Sequence, residues 1–277
     1  MNSGREPMVI DFHAHVYEDG KAPRIMADMR RRGVAPSSDG TLGGLLASMD
    51  RAGVGLSVVS RITVKPEQAP PVNEWLLSLR SPRILPLATI HPGVAGVGDQ
   101  VEELRARGFS GFKVHPDYQR FVVEDRRCFP FYEAAEAAGM WVLIHAGLDR
   151  GLPDFPVNAT PRGLLTVHEA FPRLRLVAAH MGGEEIYEET ERTLLGRDVY
   201  LDTSFVLRKM PLETFRRLVS RHPAERLLFG SDTPWSDQVE DLRFFLGLPF
   251  LSAETKEKMT WGNARELFGK FELTTDN

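Results

Sequence analysis

The feature that most constrains this chain is an eightfold alternation of short apolar runs with helical stretches. The runs are Met8–Phe12, Leu56–Ile62, Ile84–Ile90, Gly111–His115, Trp141–Ala146, Arg175–His180, Val199–Phe205 and Arg226–Ser231. Most are followed by a segment with helical spacing. Thr41–Gly53 places Leu42, Leu45, Leu46 and Met49 on one face and stops at Gly53; Thr160–Phe171 opens with a Thr-Pro cap signal. Further helices are expected at Asn73–Leu79, Val97–Arg107, Arg126–Ala138, Glu184–Leu195, Leu212–Arg221, Asp237–Gly247 and Ala253–Phe268. Strands that are apolar throughout, without in-out alternation, belong to a parallel sheet covered by helices. Eight such units predict a closed (β/α)₈ barrel, an α/β fold of one domain. The 277 residues match the roughly 250 typical of that fold. No glycine-rich dinucleotide fingerprint follows the first strand, which weighs against an open doubly wound sheet.

The single domain is expected to span 1–277, with flexible tails at 1–7 and 270–277. A net charge of -4 makes the chain a poor partner for nucleic acid or a membrane surface. The N-terminus lacks the apolar core of a signal peptide, and no uncharged apolar run reaches the roughly 18 residues of a membrane span. With one cysteine, Cys128, no disulfide can form within the chain, and a cytoplasmic location is the simplest expectation. The expected partner is a small-molecule substrate.

The histidines fall unevenly. Of eight, His13, His15, His115, His145 and His180 lie at or just past predicted strand ends; His91 ends the third strand, and Asp232 ends the eighth. Barrel active sites are built on that rim. Residues two apart in a strand share a face, so Asp11, His13 and His15 are expected to look into the barrel mouth. Two imidazoles so placed can bind one metal ion through neutral nitrogens. Taken alone, His145 and His180 read sooner as core histidines, and Asp232 can be read as a helix cap. Together they read as ligands and catalytic groups, because an aspartate after an apolar strand is costly to bury unless paired or metal-bound. Lys113 and His115 would share the inward face of the fourth strand. The lysine would meet a substrate carboxylate, a protein carboxylate, or carbon dioxide held as a carbamate between two metals. The loops Lys21–Gly40, Thr63–Pro71 and Arg150–Ala159 are expected to shape the entrance.

Asp11-x-His13-x-His15, Lys113-x-His115-Pro116, Ile144-His145-Ala146-Gly147, His180-Met181-Gly182-Gly183, Phe229-Gly230-Ser231-Asp232-Thr233-Pro234-Trp235 and Asn263-Ala264 together resemble the amidohydrolase-2 branch of the amidohydrolase superfamily. The resemblance implies a homodimer and one divalent ion, zinc or manganese, held by His13, His15, His145 and Asp232. His180 and Asp232 would be the catalytic pair. Arg61, Lys113, His115, Asp11 and Trp235 would bind substrate or support the ligands. The expected reaction is hydrolysis of an amide, ester or lactone by metal-activated water. The alternatives are a non-oxidative decarboxylase of an unsaturated or aromatic acid, and a metal-binding barrel without activity.

Overall fold

A computed structural model describes residues 9–269; the expected tails at 1–7 and 270–277, and Met8 of the first strand, lie outside the described residues. Among the described residues nine strands run in chain order: β1 (Val9–His15), β2 (Val54–Ser60), β3 (Ile84–Pro86), β4 (Ala88–Thr89), β5 (Gly111–Val114), β6 (Trp141–Ile144), β7 (Leu176–Ala178), β8 (Tyr200–Asp202) and β9 (Leu227–Leu228). Neighbours pair in sequence order, and every pairing is parallel. β3 and β4 are two pieces of one stave, interrupted at Leu87, whose N–H still donates to Val59 O at 2.9 Å. The last stave meets the first. Phe12 N donates to Phe229 O at 2.9 Å, Asp232 N to His13 O at 2.7 Å, and His15 N to Thr233 O at 2.7 Å. These bonds shut eight staves into the expected barrel.

The helices start where local chemistry lets them. Thr41 and Thr160 each turn a side-chain oxygen to the N–H three residues on, capping helices Leu42–Ala52 and Pro161–Ala170. Gly53, at φ 74°, ends the first of these in a backbone state that glycine adopts without a Cβ clash. The entrance segment Lys21–Gly40 carries its own helix, Ala22–Arg31. The predicted final helix is three pieces: Ala253–Glu257, a wider turn over Lys258–Gly262, and Asn263–Phe268. Among the described residues no helix is long and apolar enough to cross a membrane.

The core has two layers. One lies between staves and helices and includes Val59, Phe112, Val114, Val142, Ile144, Leu201 and Phe229. The other fills the barrel where the strands begin: Ile10, Phe12, Leu56, Val58, Leu85, Trp141, Leu143, Val177 and Leu228. Phe268 closes that end, its ring 5.9 Å from Phe12 and 6.1 Å from Trp141. Gly111 makes room for the indole; a Cβ there would lie 2.6 Å from Trp141 Cδ2. With this end packed solid, only the ends where the strands finish are left to build a cavity.

Candidate active site

A cavity of about 530 Å³ opens at that end. Its floor carries His13, His15, Lys113, His115, His145, His180 and Asp232, and its walls include Ile25, Met29, Val34, Ile62, Leu152, Phe155, Phe205 and Trp235. All three predicted entrance loops contribute lining residues. His91 does not face this cavity; it lines a separate cleft beside Asn73 and Arg107.

The imidazoles are held from behind. His13 Nδ1 lies 2.9 Å from Asp202 Oδ2 and 2.8 Å from Ser204 Oγ. The carboxylate only accepts, so Nδ1 carries the proton and Nε2 presents a lone pair. His180 Nδ1 donates to the Ser204 carbonyl at 2.9 Å, which leaves its Nε2 bare as well. His15 has Ser60 Oγ at 3.2 Å from Nδ1 and Asp232 Oδ1 at 3.0 Å from Nε2. His145 Nδ1 lies 2.9 Å from His180 Nε2, while its buried Nε2 has no hydrogen-bond partner and faces Asp117 Oδ2 at 3.9 Å.

Burial, and then the nearby Lys113 ammonium, lower His13 to about 4. Burial likewise depresses His180, and it pushes His115 and His145 well below the ordinary value. All four rings are neutral at pH 7. Burial alone would raise Asp232 and Asp202, but the imidazoles around them hold both carboxyls well below the usual carboxylate range. The floor therefore joins two buried carboxylates to neutral nitrogen donors, with the Lys113 ammonium among them.

Donor atoms of His13, His15 and Asp232 lie within 4.8 Å of one another. His145 is not in that group; it clusters with His180 and Glu184, and on its other side with His115 and Asp149. The four residues expected to share one ion thus form a chain of adjacent donor groups, bridged by His180. The donor set fits a divalent cation. With His145 Nδ1 as a ligand, that ring's proton would sit on Nε2, toward Asp117, which accounts for the orphaned nitrogen.

The backbone is strained here. Among the described residues the non-glycine positions at positive φ are Arg120, His180, Met181, Glu185, Phe205 and Asp232. Four line the cavity, and Met181 and Glu185 adjoin lining residues. Such conformations cost about 1–3 kcal/mol each and collect where geometry serves function.

Other expected residues fall as follows. Lys113 is 1% exposed, with Nζ 3.0 Å from His13 Nε2. His115 stacks on His145 with centroids 3.9 Å apart and places Nε2 3.1 Å from Asp149 Oδ2. Arg61 lines the cavity, but its Nε is bonded to Glu18 at 2.8 Å and its Nη1 to Ile62 O at 2.7 Å. Trp235 is a wall residue 6.4 Å from His15. The reading that Asp11 shares the inward face is corrected. The β1 register slips between Asp11 and Ala14, and Asp11 turns outward to Ser231 and Gln238. From there it accepts the Ser231 N–H and sets the turn before Asp232.

Asp202, Ser204, Asp149 and Glu184 had no place in the sequence reading. Asp202 carried a usable signal, since it follows the apolar pair Tyr200-Leu201 at a strand end, as Asp232 follows another.

The sequence profile described as amidohydrolase matches residues 10–270, nearly the whole chain. The chain belongs to the amidohydrolase family. A search of curated proteins gave no match. Several solved structures share the fold of this amidohydrolase. The 5-carboxyvanillate decarboxylase of Sphingomonas paucimobilis superposes with a TM-score of 0.72 at 19% identity, covering 95% of this chain and 99% of that one. A dihydroxybenzoic acid decarboxylase from a Polaromonas species, with bound manganese and the inhibitor 2-nitroresorcinol, gives 0.72 at 17%, covering 95% and 97%. The 2,6-dihydroxybenzoate decarboxylase from Rhizobium gives 0.70 at 16%, covering 95% and 98%.

The expectation of a hydrolase is corrected by these neighbours, which are decarboxylases. The histidines and Asp232 that suggested metal-activated water build the donor cradle, and a cradle does not choose which bond of the substrate breaks.

Proposed function

We propose that this amidohydrolase is a metal-dependent, non-oxidative decarboxylase of an unsaturated or aromatic acid. What supports the reaction is the likeness to decarboxylases of the same fold, and what supports the metal is one feature of the site: the imidazoles of His13 and His15, each held on Nδ1, turn Nε2 toward Asp232 at the floor of a cavity with apolar walls. His13, His15 and Asp232, with His145, would hold a divalent ion; nitrogen donors plus one carboxylate suit zinc or manganese. When bound, the ion draws in the substrate carboxylate and offsets negative charge.

The chain's own residues do the rest. The wall formed by Ile62, Leu152, Phe205 and Trp235 receives a flat organic body and keeps water from it. Asp202 and Ser204 fix the rings of His13 and His180. In the reaction the bond between the carboxylate carbon and its neighbour breaks, carbon dioxide leaves, and a proton reaches the vacated carbon. Burial keeps His180 neutral at rest, so it takes that proton from solvent on Nε2 and passes it to the vacated carbon. The electron pair left by carbon dioxide needs delocalisation, hence an unsaturated or aromatic acid.

The test is to incubate manganese- or zinc-loaded protein with a panel of aromatic and unsaturated acids in deuterium oxide. Carbon dioxide release with one deuterium at the former carboxyl position supports the proposal. Turnover of any panel member without carbon dioxide sinks it.

A further inference from the structure

His115 faces the cavity, yet the proposed reaction gives it no part. Its neighbour His145 is the exception among the donor rings. Asp202 and Ser204 hold His13, Ser60 holds His15 and the Ser204 carbonyl holds His180, each on Nδ1. His145 has no such grip. Its Nδ1 meets His180 Nε2 at 2.9 Å. Its Nε2 is buried without a hydrogen-bond partner, and Asp117 Oδ2 at 3.9 Å is too far to bond. What sets the plane of this ring is the face of His115, parallel to within 9° and 3.9 Å away centre to centre.

His115 is itself held. Its backbone N–H donates to Gln119 Oε1 at 2.8 Å, and Gln119 Nε2 donates to Ile90 O at 2.8 Å. A buried amide thus ties the end of β5 to the chain that follows β4. Tyr118 meets the His115 imidazole edge-on, at 4.6 Å and 85°. On its outer edge Nε2 lies 3.1 Å from Asp149 Oδ2, and Asp149 is fixed by the Gly151 N–H, which donates to Oδ1 at 2.6 Å. An imidazole free to turn about its last side-chain bond must be frozen when an ion arrives. A stack that holds it beforehand removes that cost.

We propose that His115 is a positioning residue for the metal ligand His145, its stacked ring doing for His145 what a hydrogen bond does for the other donor imidazoles. The inference rests on the reading that His145 holds the ion.

The experiment adds cobalt(II) to the metal-free full chain. Competition with a chelator gives affinity, visible absorption reports the geometry around the ion, and elemental analysis gives the ratio per chain. His115→Ala should bind cobalt about tenfold or more weakly, with a shifted absorption band. His115→Leu serves as a second variant without a ring should alanine not fold. His115→Phe keeps a flat ring and loses the contact with Asp149, and should recover most of the affinity. His145→Ala should itself weaken binding, and adding His115→Ala to it should change nothing further, since the ring to be positioned is gone. A purely structural His115 would weaken binding by the same factor with or without His145, and that result overturns the proposal. So does wild-type affinity in the variants without a ring, or a His115→Phe as weak as they are. A second cobalt ion per chain that disappears in Asp149→Ala would make His115 and Asp149 ligands, and overturns it too. Wild-type affinity in His145→Ala is a separate failure: it removes His145 from the ion, and the positioning role falls with that reading.

Discussion

Lys113 Nζ lies 3.0 Å from His13 Nε2, the nitrogen that Asp202 leaves without a proton. The ammonium therefore lies on the face of His13 that a metal ion would use. Asp232 Oδ1 is 3.3 Å from the same nitrogen, so lysine and carboxylate meet at one point. In the absence of an ion, Lys113 is the buried positive charge that offsets Asp202 and Asp232.

Replacing that charge should expose its role. Metal-free Lys113→Met is expected to lose about 3–5 kcal/mol of stability, because buried carboxylates lose their counter-charge. Added zinc or manganese should then stabilise the variant more than it stabilises wild type. Urea denaturation with and without chelator measures both. An equal deficit in the two conditions would show that Lys113 is not the stand-in cation.

Asp202 should govern metal affinity without needing to touch the ion. Asp202→Asn can donate to His13 Nδ1 and so favours the tautomer with the proton on Nε2. Affinity is expected to fall about 10–100-fold. Competition with a chelator of known affinity reads this out, and wild-type affinity in the variant would refute the role.

Much of this was legible before any coordinates, and what was not has physical causes. His13, His15, His145, His180 and Asp232 all sit where apolar runs end, so a reader of strand ends finds them. Asp11 was misplaced because period-two reasoning cannot see the register slip in β1. Glu184 was hidden because it reads as the first residue of a helix, whereas the helix begins at Tyr187 and Glu184 belongs to the loop pressed against Gly147. Asp149, on an aperiodic segment after β6, meets His115 only through the fold. The separate donor groups were likewise invisible, since strand-end position sets the rim but not the distances around it.

Gly111→Ala tests the packing beneath the site. The added carbon would lie 2.6 Å from the Trp141 ring and 2.9 Å from its carbonyl oxygen, so the indole must shift. Destabilisation of about 1–3 kcal/mol is expected. Metal content per folded molecule should be unchanged, since the residue lies at the opposite end of its strand from the donors. Calorimetric unfolding together with elemental analysis checks both halves.

His222 tests pH dependence away from the cavity. Burial lowers its pKa from 6.5 to about 4, while Nε2 donates to Val199 O at 2.9 Å. Between those values the unfolded chain takes up a proton that the folded chain refuses. Its contribution is thus complete above pH 6.5 and is lost as pH falls toward 4. His222→Phe should flatten the stability slope in that window by up to about 1.4 kcal/mol per pH unit. Denaturation midpoints at pH 6.5 and 4.5 decide it; parallel slopes would show that the ring protonates without cost.

The seam between β9 and β1 has a consequence for how the centre comes into being. His13 and His15 are made some two hundred residues before Asp232, yet Asp232 N bonds directly to His13 O. The ring is fastened at the point where the donor atoms of His13, His15 and Asp232 meet. A nascent chain that has not produced its final stave lacks both the clasp and the carboxylate, so a shut barrel and a whole cation cradle arrive together.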